Sequence, residues 1–254
     1  MLLATYCLLV VACTDDINPS SAANGQNEFC PYKCAPAAQP IIVIDPGHGG
    51  RDHGAARDGV SEKDVTLAVA RQLADELRLR CGNKLAVRLT RNNDSFVDLS
   101  QRAAMAANDS AALFISLHCN SLETVPEGGS DIEGAVIFVA PPHLPAISSG
   151  DAMEQSIAFN RLRSHRLNAT RLAQTIGQHL THDAARSSAH VRQEQLMVLS
   201  MATVPAVLVE LDYLTNATQA KFLASRHGQL MLANAICDAI IEYSLNNGLL
   251  STLD

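Results

Sequence analysis

Ile41-Ile42-Val43-Ile44-Asp45-Pro46-Gly47-His48-Gly49-Gly50-Arg51-Asp52-His53-Gly54-Ala55 is the stretch from which the fold can be read. A run of β-branched apolar residues closed by Asp45-Pro46-Gly47 has the composition of a buried strand that stops at a tight loop. Beyond that edge His48 is the first side chain with ligating or catalytic capacity, and the glycines beside it let the backbone turn and leave room around the imidazole. Open α/β sheets gather their ligands at the carboxyl ends of strands. Taken alone His48 is an ordinary loop histidine, so partners further along the chain decide its meaning.

Several such units follow. Ser61 reads as a helix N-cap with Asp64 in a capping-box-like position, and Val65, Val69, Leu73 and Leu77 recur every four residues as a stripe for a sheet, until Gly82. Leu85 to Thr90 reads as a short strand and Leu99 to Asn108 as a helix. Ala111 to Asn120 is a second apolar run, which ends at His118. Gly134 to Ala140 is a further strand. Pro141 to His165 is less regular, with a helical patch from Asp151 to Leu162, and Arg166 to Leu180 is a clearer helix. Val204 to Glu210 is a third buried strand, followed by helices over Thr218 to Ala224 and Gln229 to Ser244. This alternation predicts a single α/β domain over residues 41–247, with a largely parallel sheet and helices on both faces.

Composition narrows the partners. At 254 residues, 47% hydrophobic and 18% charged, the chain can bury a sizeable core, and 4% aromatics without Trp argue against a carbohydrate-stacking module. Net charge −7 with scattered basic residues gives no pull toward nucleic acid.

Residues 1–13 are apolar but shorter than the roughly 20 residues a membrane span needs, and read as the hydrophobic part of a secretory signal. Val10-Val11-Ala12-Cys13 resembles a lipobox, in which Cys13 would carry a lipid anchor. Residues 14–40, rich in Asn, Ser, Ala, Pro and Gln, read as a disordered tether. Cys30, Cys34, Cys81, Cys119 and Cys237 then remain, an odd set in which a disulfide involving Cys30 or Cys34 is a plainer reading than a structural zinc site.

The apolar strands thus end in His48, His118 and Glu210, while Glu62 opens a helix just after the first. Parallel neighbouring strands would bring all of them to one rim. Two imidazoles and a carboxylate are the ligand set of a catalytic zinc site, and a second carboxylate nearby can serve as general base. Each residue has a bland explanation: a satisfied core histidine, a helix-dipole partner, a surface acid at a strand end. Their coincidence at strand ends favours the site. His53, His143, His165, His179, His182, His190 and His227 sit in loops or polar positions and read as exposed, and Cys119 should point away from His118 on the same strand.

Residues 44–55, Glu62-Lys63, Leu89-Thr90-Arg91, residues 102–108, Ser116-Leu117-His118-Cys119-Asn120-Ser121 and residues 205–216 together resemble the zinc-dependent N-acetylmuramoyl-L-alanine amidases that cut bacterial peptidoglycan. The resemblance spans about residues 41 to 245. It implies a six-stranded, mostly parallel sheet, one zinc ion held by His48, Glu62 and His118, and Glu210 as catalytic acid/base. It implies peptidoglycan as substrate, and hence an exported enzyme of the periplasm or cell envelope. A zinc peptidase acting within the stem peptide and an inactive peptidoglycan-binding homologue are the competing readings. Some family members carry a helical insertion after the strand at 134–140 that covers the zinc until an activator protein moves it. Here Met153 and Ile157 could dock such a cover, with Glu154 or Gln155 toward the metal, although an irregular surface loop is the simpler expectation. Asp212-Tyr213 stands where the family usually has Gly-Phe; Asp tolerates a left-handed backbone and Tyr keeps the ring, so the local geometry is expected to survive.

Overall fold

Ile42 and Ile44 face one side of the first strand, β1 (Ile41–Pro46), and Val43 faces the other; all are fully buried, which is why the run is continuously apolar. The structure, a computed structural model, describes residues 39–108, 111–124, 130–142 and 151–251. The signal-like segment, the tether up to residue 38, His143 and the pair Cys30 and Cys34 lie outside the described residues.

After β1 come β2 (Ala56–Arg57) and β3 (Val60–Ser61), which form a small hairpin, then α1 (Glu62–Cys81) and β4 (Ala86–Leu89). Next are α2 (Leu99–Asn108), β5 (Leu113–Asn120), β6 (Ala135–Val139), α3 (Ala152–His182) and β7 (Ala189–Gln193). The chain closes with α4 (Met197–Ser200), β8 (Ala206–Tyr213), α5 (Ala217–Ala224) and α6 (Arg226–Asn246). The sheet has six strands in the order β4-β1-β5-β8-β6-β7. β4, β1, β5 and β8 are mutually parallel, whereas β6 joins β8 antiparallel and carries β7 parallel to itself. The expected mostly parallel α/β architecture is therefore present.

One face of the sheet carries α1, α3 and α6 over Ile42, Ile44, Ile115, Val207 and Val209. The other carries only the short α2 and α4 over Val43, Phe114 and Leu208. Short helices leave the rim of that face uncovered, and the strand residues that continue it are Asp45, Ser116, His118 and Glu210.

Local expectations are corrected in several places. Ser61 lies at the N-cap of α1 but makes no capping bond; its hydroxyl donates to the His53 carbonyl at 3.2 Å. The helical patch and the helix expected on either side of residues 163–165 are one helix of 31 residues, because Arg163-Ser164-His165 contains no Gly or Pro to break it. Its start is set by Asp151, whose carboxylate accepts from the amides of Met153 and Glu154 while Glu154 accepts from the Asp151 amide. β7 was not expected from the sequence: Ala189-His190-Val191-Arg192-Gln193 is a short, mostly exposed edge strand whose only apolar residues are Ala189 and Val191.

The direction of β6 moves the irregular segment away from where it was expected. Val136 pairs with Glu210 and Phe138 with Leu208, so β6 starts at the rim that holds Glu210 and ends at the opposite one. α3 returns from that far rim. Thirty-one residues at about 1.5 Å rise span roughly 46 Å, against roughly 17 Å for a five-residue strand. Only the half from Arg166 to Leu180 is buried on the sheet, and Ala152 to His165 contains no buried residue, so this half extends past the far rim. Met153 and Ile157 are 71% and 62% exposed, and they dock nothing near Glu210.

This division yields a prediction. Met153→Ser should leave unfolding free energy within about 0.5 kcal/mol of the parent, whereas Leu172→Ala, on the buried half of the same helix, should cost about 2–5 kcal/mol. Equilibrium urea denaturation of the two variants measures both.

Candidate metal centre

Parallel pairing places His118 directly beside Glu210 in register, and both lie on the uncovered face. His48 enters from the loop after β1, and Glu62 from the first turn of α1. The Glu62 Oε1 atom is 3.1 Å from His48 Nε2 and 3.0 Å from His118 Nδ1, and the two rings meet edge to face with centroids 4.9 Å apart. His48, Glu62 and His118 are close enough to share a metal ion. The structure thus brings together all four residues singled out from sequence.

Each of them is fixed by its surroundings. Glu62 is buried, with Oε1 accepting from the Cys119 amide at 3.0 Å and Oε2 from the Ala55 amide at 2.8 Å. Burial alone would raise its carboxyl, but the contacts with His118 and His48 outweigh that and hold it well below the usual carboxylate range. His48 has φ 58° and Gly49 and Gly50 also have positive φ, a turn that brings the imidazole back over the sheet. Its Nδ1 lies 2.9 Å from Asp52 Oδ2, close enough for an ion pair but out of line for a hydrogen bond. The glycines are needed for close approach: a Cβ at Gly47 would collide with the His118 ring, and one at Gly54 with Glu62 and His48.

Glu210 shares burial and the two histidine neighbours with Glu62 but lacks its hydrogen-bond partners. It has no amide donor at Oε2, which is shut off from solvent and has no hydrogen-bond partner among the described residues. Burial pushes its carboxyl up to about 7, with the nearby Glu62 charge adding to the effect and the two histidines opposing it. An orphaned, readily protonated oxygen beside a donor set of two imidazoles and a carboxylate fits a site built around a cation and a water.

Behind the ligands lies a layer that sequence reasoning did not assign. Asp45 is fully buried and accepts from Thr90 Oγ1 at 2.5 Å, Arg102 Nη1 at 2.7 Å and Ser116 Oγ at 2.8 Å. Arg102 also donates to the carbonyls of Pro46 at 2.7 Å and His48 at 2.6 Å. Arg91 donates to the carbonyls of Pro46 at 3.0 Å, Gly47 at 2.7 Å and Lys63 at 2.8 Å. The signal was available: an acid after the apolar residues of β1, an arginine just after β4, and another as the only charged residue of α2.

The remaining expectations divide. Cys119 points away from the site into the α1/α3/α6 core, where burial holds its thiol well above the ordinary value. Cys81 and Cys237 are free and buried as well. His53, His182, His190 and His227 are exposed, but His165 and His179 are partly buried. His179 Nε2 lies 2.8 Å from Glu242 and Nδ1 2.5 Å from Asp183, because α3 and α6 pack side by side there. Asp183 and Asp238 are close enough to join His179 around an ion, yet Asp238 is already paired with Arg80. Asp212 does not take the left-handed backbone; it stays within β8, buried, and pairs with Arg186.

The family model for N-acetylmuramoyl-L-alanine amidase matches residues 42–242, and the chain belongs to that family. The uncharacterised protein YqiI of Bacillus subtilis is 31% identical over 214 residues, 83% of this chain and 89% of that protein. The N-acetylmuramoyl-L-alanine amidase AmiA of Escherichia coli is 28% identical over 224 residues, covering 80% of this chain and 75% of its own. Among solved structures, the N-acetylmuramoyl-L-alanine amidase AmiC2 of Nostoc punctiforme has a TM-score of 0.62 at 29% identity, over 81% of this chain and 97% of that one.

The buried pair behind the loop supplies a test. Arg102→Ala should cost about 3–5 kcal/mol of unfolding free energy, since it leaves a buried Asp45 carboxylate unpaired. Arg102→Lys should recover only part, because one ammonium cannot reproduce the planar fork that serves Asp45, Pro46 and His48. Urea denaturation of the two variants decides the order.

Proposed function

We propose that this chain hydrolyses the amide between the lactyl group of N-acetylmuramic acid and the L-alanine of the peptidoglycan stem peptide. His48, Glu62 and His118 would hold one zinc ion. When bound, zinc supplies a Lewis acid that polarises a carbonyl and lowers the pKa of a coordinated water to about 7. Glu210 would accept the proton of the attacking water and return it to the departing alanine nitrogen. The observation that carries the reading is the contrast between the two carboxylates: Glu62 is held charged by histidines and backbone amides, and Glu210 has an orphaned Oε2 and a carboxyl raised to about 7. A ligand must stay ionised, while an acid/base must exchange its proton near neutrality. Family membership and the relatives named as amidases support the same reaction.

Within this reading residues 41–247 form the catalytic domain, residues 1–13 act as an export signal ending at a lipid site, Cys13, and residues 14–40 tether the enzyme near its polymer. No helix among the described residues is long and apolar enough to cross a membrane.

Digestion of purified sacculi followed by mass spectrometry tests the reaction. Free stem peptides beginning in L-alanine are expected. Cuts between amino acids would indicate a peptidase instead, and an absence of products a binding protein. His48→Ala and His118→Ala should lose zinc and activity together, by elemental analysis and turnover. Glu210→Ala should keep zinc while kcat falls about 10²-fold or more, and loss of zinc from that variant would move Glu210 into the ligand set.

A further inference from the structure

Past Glu210 the two ladders of β8 fall out of step. Against β5, His118 pairs with Glu210 but Asn120 pairs with Tyr213, so β8 carries an extra residue in this interval, a bulge. Against β6, Val136 pairs with Glu210, and two residues nearer the rim the Gly134 amide donates to the Asp212 side chain, Oδ1 at 2.9 Å. The same oxygen accepts from the Tyr213 amide at 2.8 Å, and Oδ2 from Arg186 Nη1 at 2.6 Å. Arg186 donates further to Gln219 Oε1 at 2.7 Å, and Gln219 Nε2 to Glu133 Oε2 at 2.6 Å. Asp212 is 1% exposed, and the Arg186 guanidinium stacks 3.9 Å over the Phe222 ring.

We propose that the buried Asp212–Arg186 pair is a positioning device for Glu210, locking the bulge so that β8 delivers the Glu210 carboxylate at a fixed angle to the histidine pair. A bulge is locally soft, because it removes ladder bonds and allows the strand to bend. Here the carboxylate of Asp212 takes over the missing acceptor for two amides, and Arg186 anchors it to the α3–β7 connection and to α5. Glu210 Oε2 has no hydrogen bond of its own to orient it, so its aim depends on the backbone that Asp212 fixes. A buried ion pair is a poor source of net stability, since desolvation cancels much of its attraction. Holding geometry next to the reacting group is the role that this cost leaves, and displacements of about 1 Å there can change rates up to 10²-fold.

The inference rests on the reading of Glu210 as general base, and a double-mutant cycle separates the two. Asp212→Asn keeps an acceptor but breaks the ion pair; in the zinc-loaded full chain it should lower kcat about tenfold with KM and zinc content unchanged. In the Glu210→Ala background the same change should have no further effect on kcat, because nothing remains to be positioned. An equal loss of kcat in both backgrounds, or a lowered Tm with unchanged kcat in the parent, would overturn the proposal. If Asp212→Asn does not fold, Gln219→Ala cuts only the outer link and should give a smaller loss of kcat that likewise vanishes without Glu210; persistence there would also overturn it. Full kcat in Glu210→Ala alone would overturn the base assignment instead.

Discussion

The carbonyls of Pro46, Gly47 and His48 have left the sheet ladder, and two guanidinium groups receive them. That capture is the constraint on which the centre depends. A strand that ends in a left-handed histidine leaves its last carbonyls without strand partners, and buried unpaired carbonyls cost about 1–3 kcal/mol each. Arg91 and Arg102 satisfy them and thereby hold the turn that carries His48. Two buried guanidiniums repel one another; burial and then Arg102 hold Arg91 below its usual value, and Asp45 is the countercharge. The acid that closes β1 and the arginine on α2 therefore form one unit with the metal-side loop.

From that fixed loop the rest of the centre follows by sheet geometry. Neighbouring strands lie about 4.8 Å apart, so pairing β5 with β8 in register sets His118 and Glu210 side by side with no further device. Glu62 reaches them from α1, gripped from two sides by the amides of Ala55 and Cys119. Identical side-chain chemistry then diverges by environment. Hydrogen-bond donors and imidazoles keep Glu62 ionised, while burial without donors lifts Glu210 toward neutrality.

His48, His118 and Glu210 were legible in the sequence because each closes a continuous apolar run, although β5 and β8 continue to Asn120 and Tyr213, and Glu62 because it opens α1. The elements built on strong periodicity, such as α1 with Val65, Val69, Leu73 and Leu77, were legible for the same reason. What escaped was interaction at a distance. Asp45 meets Arg102 across 57 positions of chain and Asp212 meets Arg186 across 26, and no local pattern announces such pairs. β7 escaped because an exposed edge strand needs no apolar face, and the continuity of α3 escaped because its first half, facing solvent, lacks the stripe that marks the second.

The direction of β6 was the expectation with the widest consequences. In an all-parallel reading, the segment after residue 140 would emerge over the metal and could cover it. Antiparallel pairing with β8 reverses this, sending Pro141, Pro142 and the exposed half of α3 to the opposite rim. Among the described residues, the segments at that rim include the loops after β1 and β4, which pack on each other through Gly50 and Asp94, the turn from β8 into α5, and the connections entering β6 and β7, of which Gly134 and Arg186 are tied to Asp212. Two of these connections are thus fastened to the strand that carries Glu210. The rim is thereby tied together around Glu210, while Met153, Ile157 and Phe159, three of the exposed apolar side chains, lie on the half of α3 that runs out past the opposite edge of the sheet.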